Sequence, residues 1–78
     1  MKLLARNLDR NLSEDELQAL FAAFGNVQSC TLVMDTKTGT SKGFGFIEMP
    51  VSGDAKAAVK QLNGSVVSGQ TIRVKKAV

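Results

Sequence analysis

Phe44 and Phe46 stand two residues apart, in a chain whose other notable groups are lysines and arginines. Phenyl faces accept flat aromatic groups and cationic side chains accept phosphates, so the two together suit single-stranded nucleic acid. Other chemistries find little support. The chain has no histidine and one cysteine, Cys30, which removes zinc chemistry, imidazole catalysis, an internal disulfide and any CxxC metal or redox site. The acidic run Glu14-Asp15-Glu16 resembles an acid-base or metal cluster but falls where a helix begins, and there carboxylates complement the helix dipole. Gly43-Phe44-Gly45 falls short of a dinucleotide fingerprint: the third glycine position holds Glu48, and the pair opens a strand with no helix after it. No nucleophile has an adjacent base, so no catalytic residue, metal or cofactor is expected, and the chain is not read as an enzyme.

Whether the two rings can reach a ligand depends on the strand that carries them. Lys42-Gly43-Phe44-Gly45-Phe46-Ile47-Glu48-Met49 alternates with a period of two, and an unpaired carboxylate such as Glu48 is costly to bury. Glu48 therefore faces solvent and takes Phe44 and Phe46, of the same parity, with it. Gly45, Ile47 and Met49 face the core. The opposite assignment would bury both rings and turn Glu48 inward. A solvent-facing Phe forgoes about 1.5–3 kcal/mol of burial, so a pair on a polar sheet face marks a binding surface.

The frame for that strand must be small. With 78 residues there is room for one domain with one core, here residues 1–78. A hydrophobic fraction of 44% and a mean hydropathy near zero (+0.01) suit a soluble globule. No apolar run approaches a membrane span, and Met1-Lys2-Leu3-Leu4 leads directly to charged Arg6, so neither a membrane partner nor a signal peptide is expected. Asn11-Leu12-Ser13 and Asn63-Gly64-Ser65 match the glycosylation sequon by chance. A net charge of +3 permits an anionic partner without demanding one, which makes the placement of the charges decisive.

Along the chain, Lys2 to Asn7 alternates as a first strand, with Leu3 and Ala5 inward and Lys2, Leu4 and Arg6 outward. Ser13 and Glu16 form a capping box, Leu12 and Leu17 a hydrophobic staple, and Leu17, Leu20, Phe21 and Phe24 the apolar stripe of a first helix that Gly25 ends. Val27 to Asp35 reads as a second strand, with Cys30, Leu32 and Met34 inward and Thr31 and Val33 on the open face; a bulge would invert that register. Cys30 is a small buried hydrophobe, since no helix start or basic group lowers its pKa. Asp35 to Ser41 is a polar loop, which makes strands two and three an antiparallel hairpin. Pro50 closes strand three, Ser52 or Asp54 caps a second helix with Ala55, Ala58, Val59 and Leu62 inward, and Lys56 and Lys60 form its solvated side. Asn63-Gly64 ends that helix. A last strand places Ile72 and Val74 inward and Thr71, Arg73 and Lys75 outward, and Val66-Val67 is a candidate extra ribbon.

The order is strand, helix, strand, strand, helix, strand. Two crossover units of this kind lay both helices on one face of the sheet and leave the other bare, an α+β βαββαβ sandwich. The bare face carries Lys2, Leu4, Arg6, Lys42, Phe44, Phe46, Glu48, Thr71, Arg73 and Lys75, so one acid meets five bases there. Elsewhere the signs balance or lean acidic.

On these residues the sequence resembles the RNA-recognition motif. Lys42 to Met49 is similar to that family's RNP octapeptide and Leu3-Leu4-Ala5-Arg6-Asn7-Leu8 to its companion hexapeptide, with Gly25 after the first helix and Leu62-Asn63-Gly64 after the second. The resemblance covers nearly the whole chain and implies a ferredoxin-like, open, four-stranded antiparallel sheet whose first and third strands are central neighbours. It further implies that Phe46 stacks on a base, Phe44 lies against sugars, Lys42 meets a phosphate, and Arg73, Lys75 and Lys76 with the nearby backbone read base edges. The family's usual stacking aromatic in the hexapeptide is replaced by Leu4, and the aromatic that usually ends the octapeptide by Met49. Met49 faces inward and matters for packing. Leu4 removes part of one stacking contribution, on the order of 1 kcal/mol. Ala5 is smaller than the family's usual core residue, leaving room for Phe21 or Phe24.

In its brevity, its starting Met1 and its lack of attached domains the sequence is similar to small free-standing bacterial members of that family, and this resemblance implies a cytoplasmic location. The expected partner is single-stranded RNA, or single-stranded DNA, bound weakly and with broad sequence preference by a monomer whose role is that of an RNA chaperone or post-transcriptional regulator. The candidate RNA-binding residues are Lys2, Leu4, Arg6, Lys42, Phe44, Phe46, Glu48, Arg73 and Lys75. The alternative is a protein-interaction domain of the same family using the same face on a peptide, which the basic surround disfavours.

Overall fold

The computed structural model describes residues 1–77, and their order is β1 (Lys2–Arg6), α1 (Glu14–Ala22), β2 (Ser29–Met34), β3 (Ser41–Glu48), α2 (Ser52–Leu62), β4 (Val66–Val67), β5 (Gln70–Thr71) and β6 (Arg73–Lys76). β2, β3, β1 and β6 form an antiparallel sheet in that order, with β1 and β3 as central neighbours, and β4 pairs with β5 in the separate ribbon that Val66-Val67 suggested. Helix α1 packs over β2 and α2 over β6. Both helices occupy one face of the sheet, because the residues that the strands bury lie among those that the helices bury: Leu3, Ala5, Ile47, Met49 and Val74 cluster with Leu17, Phe21, Ala55, Ala58 and Leu62. This is the ferredoxin-like sandwich that the order of elements predicts.

Local chemistry explains each boundary. Ser13 caps α1 by accepting from the Glu16 N–H, and the Glu16 carboxylate accepts from the Ser13 N–H, closing the capping box. The hydrogen bonds from Ser13, backbone first and then hydroxyl, hold the Glu16 carboxyl below its ordinary pKa. Phe21 is fully buried and Phe24 only partly, so of the two rings Phe21 is the one the core takes in. Gly25 is required by its neighbour in α2: a Cβ there would fall 2.1 Å from an Asp54 carboxylate oxygen. Helix α2 starts differently from expectation. Val51 is its N-cap with no side-chain hydrogen bond, and Ser52 is already inside the helix.

The register has one irregularity. Between Leu32↔Gly45 and Met34↔Ser41, β3 advances four residues against two of β2. The bulge centres on Gly43, whose φ of +84° is open to glycine at little cost. Its N–H donates to the buried Ser41 hydroxyl (3.0 Å) and its carbonyl accepts from the Leu8 N–H (2.8 Å), so the irregular backbone is satisfied. The bulge leaves the parity of the aromatic strand intact: Gly43, Gly45 and Ile47 are buried, and Lys42, Phe44, Phe46 and Glu48 face out. β2 keeps its parity as well, since Met34 stands opposite the buried Ser41, but Met34 lies at the open end of that strand. Met34, expected inward, is 47% exposed, while Leu32 is buried and Cys30 half-buried against the core.

On each edge strand of the sheet one N–H is taken up by a side chain. The Leu32 N–H on β2 donates to the Glu14 carboxylate (2.9 Å), and the Val74 N–H on β6 donates to the Asn63 side-chain oxygen (3.1 Å). An edge N–H already engaged in this way is a poor template for another strand.

Candidate nucleic-acid interface

The uncovered face is built in rows across the strands. Thr31 on β2, Phe46 on β3, Leu4 on β1 and Lys75 on β6 are successive register partners, so one ring stands in a line running from edge to edge of the sheet. A second row joins Ser29, Glu48 and Lys2, and a third places Arg6 beside Arg73. Lys42 and Phe44 lie at the start of β3. The sheet thus gathers Lys2, Leu4, Arg6, Lys42, Phe44, Phe46, Glu48, Arg73 and Lys75 onto one face. Thr71 is the exception: it belongs to the β4–β5 ribbon, where its carbonyl accepts from the Asn7 side-chain amide (2.7 Å). Lys76 also departs from expectation. It is the register partner of buried Leu3 and stands on the helix side, while Lys75, one residue earlier, partners Leu4 on the open face.

Phe44 and Phe46 meet edge to face, with ring centroids 6.3 Å apart and planes at 88°. This arrangement holds both rings up without helix contact and stabilises the pair by about 0.5–1.5 kcal/mol. The Lys2 ammonium sits 4.7 Å from the Phe46 centroid, a cation–π contact that covers part of the ring. Any flat group laid on that face of Phe46 has to displace the ammonium.

Depressions flank the rings. One of about 730 Å³ lies beside Phe44, Phe46 and Leu4 and is bordered by Arg6 and Lys42. A second of about 250 Å³ lies on the other side of Phe46, between Lys2, Thr31 and Glu48. A third, of about 450 Å³, lies among Arg6, Arg73 and Lys75 at the β6 edge. The larger one also involves Asn7, Asp9, Arg10 and Gln70, which sequence reasoning did not single out. Asn7 has a φ of +57°, a turn that brings its amide to Thr71 and the β4–β5 ribbon to the end of β1, and nothing local in the sequence signals that long-range contact.

Gly45 explains why the rings are raised so uniformly. A Cβ at that position would lie 2.6 Å from the Thr31 carbonyl oxygen and 3.1 Å from a Leu17 methyl carbon, so β3 presses directly on β2 and α1. The aromatic strand is fixed from beneath by a contact that only hydrogen permits. Cys30 contributes no chemistry to this face: it lies on the helix side, its thiol donating to the Glu14 carbonyl, and burial, then the Glu14 and Asp15 carboxylates, push its pKa up to about 11. Among the described residues no group of three or more cysteine or carboxylate side chains is placed to hold a metal.

Residues 3–73 match the family model described as RNA recognition motif. Over 77 residues the chain is 39% identical to the human (Homo sapiens) poly(U)-binding-splicing factor PUF60, covering 99% of this chain and 14% of that protein. The chain therefore spans about one seventh of the curated relative's length. Among solved structures, RNA binding protein PG1 superimposes with a TM-score of 0.96 at 35% identity, covering 100% of this chain and 94% of PG1. A Sex-lethal protein/RNA complex superimposes with a TM-score of 0.93 at 34% identity, covering 99% of this chain and 46% of that one. With the octapeptide on β3, the hexapeptide on β1 and the helices on the far side, the chain belongs to the RNA recognition motif family.

Proposed function

We propose that this domain binds single-stranded RNA across the open sheet face, weakly and with broad sequence tolerance. The observation that carries the reading is the placement of Phe44 and Phe46 on an uncovered face together with five exposed or face-lining cations, Lys2, Arg6, Lys42, Arg73 and Lys75. Phe46 supplies the stacking plane, Phe44 lies against sugars, Lys42, Lys2 and Arg6 take phosphates, and Arg73 and Lys75 address base edges and phosphate at β6. Glu48 is available to accept hydrogen bonds from base amino groups. Leu4 offers a base an apolar contact without a π face, and this lowers affinity and discrimination together. PUF60 is described as poly(U)-binding and the Sex-lethal protein is seen in complex with RNA, both consistent with this use of the face. An RNA chaperone or regulatory role fits weak, tolerant binding.

The test is a titration with short random RNA and DNA pools, read by the amide resonances of β1 and β3. Substitution Phe46→Ala should weaken RNA binding by about 1–3 kcal/mol, roughly 5- to 150-fold, with the fold retained, since this ring is not in the core. Binding should fall with salt at a slope of about −0.7 per phosphate, on the order of −2 to −3.5 overall. Loss of the fold in the Phe46 variant, or shifts confined to the helices, would refute the assignment.

A further inference from the structure

The lysines that the open face does not use are not scattered. Lys56 and Lys60 are one helical turn apart on α2, and Lys76 stands on the same side of the sheet by its register with Leu3. All three border one depression of about 280 Å³ whose remaining lining is Met1 and Val59. No acidic side chain lines it, and among the described residues no ion pair involves these lysines. A concentration of unneutralised cations over an apolar floor fits a chain that alternates phosphates with flat, partly apolar groups.

This patch is continuous with the open face. β6 is an edge strand, and its consecutive residues Lys75 and Lys76 project to opposite sides of the sheet. The depression at that edge is bordered by Arg6, Arg73 and Lys75 from the open side and by Asn63, the residue that ends α2, from the helix side. Because Asn63 already satisfies the Val74 N–H, the edge does not invite another β-strand, and it leaves a basic shoulder that a flexible polyanion can follow.

We infer that an RNA strand longer than the sheet is wide turns round the β6 edge, and that Lys76, Lys60 and Lys56 hold its phosphates on the helix side. The inference rests on the open-face reading above, and it assigns Lys56 and Lys60 a role beyond a solvated helix surface. It makes affinity depend on RNA length through residues that no base on the sheet touches.

The experiment uses fluorescence anisotropy with oligouridylates of about 4 and about 12 nucleotides, spanning the site sizes of small single-strand-binding domains. It compares the parent chain, the triple variant Lys56→Gln, Lys60→Gln, Lys76→Gln, and Phe46→Ala. Each phosphate contact raises affinity about fivefold at 0.1 M salt relative to 1 M, so the triple variant should lose on the order of 100-fold for the 12-mer. Its salt slope for the 12-mer should flatten by about 2, while its affinity for the 4-mer stays within about twofold of the parent. Phe46→Ala should weaken both lengths. If the triple variant binds the 12-mer as the parent does while Phe46→Ala weakens both, the turn round β6 is wrong and the open-face reading stands. If Phe46→Ala weakens neither, the open-face reading fails and the inference falls with it. Vesicles containing phosphatidylserine form a control arm: lysine-dependent binding to them, with no effect on the 12-mer, would assign the patch to a membrane surface and overturn the inference. Gln preserves helix propensity at 56 and 60, and an unchanged melting curve confirms that the comparison is between folded proteins.

Discussion

Leu4→Phe should tighten the RNA binding proposed for the open face, and the geometry sets how much. Leu4 is the direct register partner of Phe46 on one side and Lys75 on the other, half-buried, at the rim of the depression of about 730 Å³. A phenyl group there has open space to enter and a second ring beside it. Stacking one base on an aromatic side chain stabilises binding by about 1–3 kcal/mol, and the leucine already supplies part of the apolar contact. The net gain should be about 1 kcal/mol, roughly fivefold in Kd. No cation is added, so the slope of log affinity against log salt should not change. The new cross-strand pair should also raise stability by about 0.5–1 kcal/mol. The assay is anisotropy with a labelled oligouridylate at several salt concentrations, alongside thermal unfolding. A double-mutant cycle with Phe46→Ala then separates two outcomes. If ring 4 stacks on its own base, the fivefold gain persists without Phe46. If the gain vanishes, the two rings serve one base jointly. Unchanged affinity in a more stable protein would mean that the new ring packs on Phe46 instead of on RNA, and the account of Leu4 as the missing stacking position would be refuted.

Gly45→Ala should destabilise the fold by about 1–3 kcal/mol, because the new methyl meets backbone atoms of β2 at 2.6 and 3.2 Å that cannot swing away. In a domain of this size that is a fall in Tm of roughly 5–20 °C, with RNA affinity of the folded protein retained; an undisturbed melt would show that β3 does not press on β2 as described. Cys30 should react with a disulfide reagent at pH 8 at least tenfold more slowly in the folded protein than in urea, since burial and two nearby carboxylates hold its pKa near 11. The raised folded-state pKa fixes the sign of its linkage to stability. The contribution is complete below the unfolded thiol pKa of about 9 and is lost as pH rises from there toward 11, so Cys30→Ser should flatten the alkaline limb of a stability profile. A limb unchanged by that substitution would remove Cys30 as its source.

The aromatic face was legible in the sequence because Glu48 and a period of two decide the side on which Phe44 and Phe46 stand, and a bulge on the same strand could not change that parity. It took two extra residues at Gly43, an even number that preserved the alternation in β3 and in β2 alike, and Met34 is exposed at the end of β2 although it stands opposite buried Ser41. The capping box at Ser13 and Glu16 was equally legible, since both partners lie within four residues of each other. What the sequence hid is whatever depends on two distant segments meeting. Glu14 carries a double task, one in the first turn of α1 and one as acceptor for the Leu32 N–H, and only the packing of α1 over β2 creates the second. Asn63 reads as a helix terminator until β6 places the Val74 N–H beside it. Lys76 is the most instructive case, because its type and its place next to Lys75 suggest the open face, while the alternation that turns Val74 inward and the register against Leu3 put it on the other. A single-residue step along an edge strand moves a cation from one side of the sheet to the other. The pair Lys75-Lys76 therefore carries positive charge over the edge without any loop, and the strand that finishes the sheet is also the point where the proposed binding surface continues.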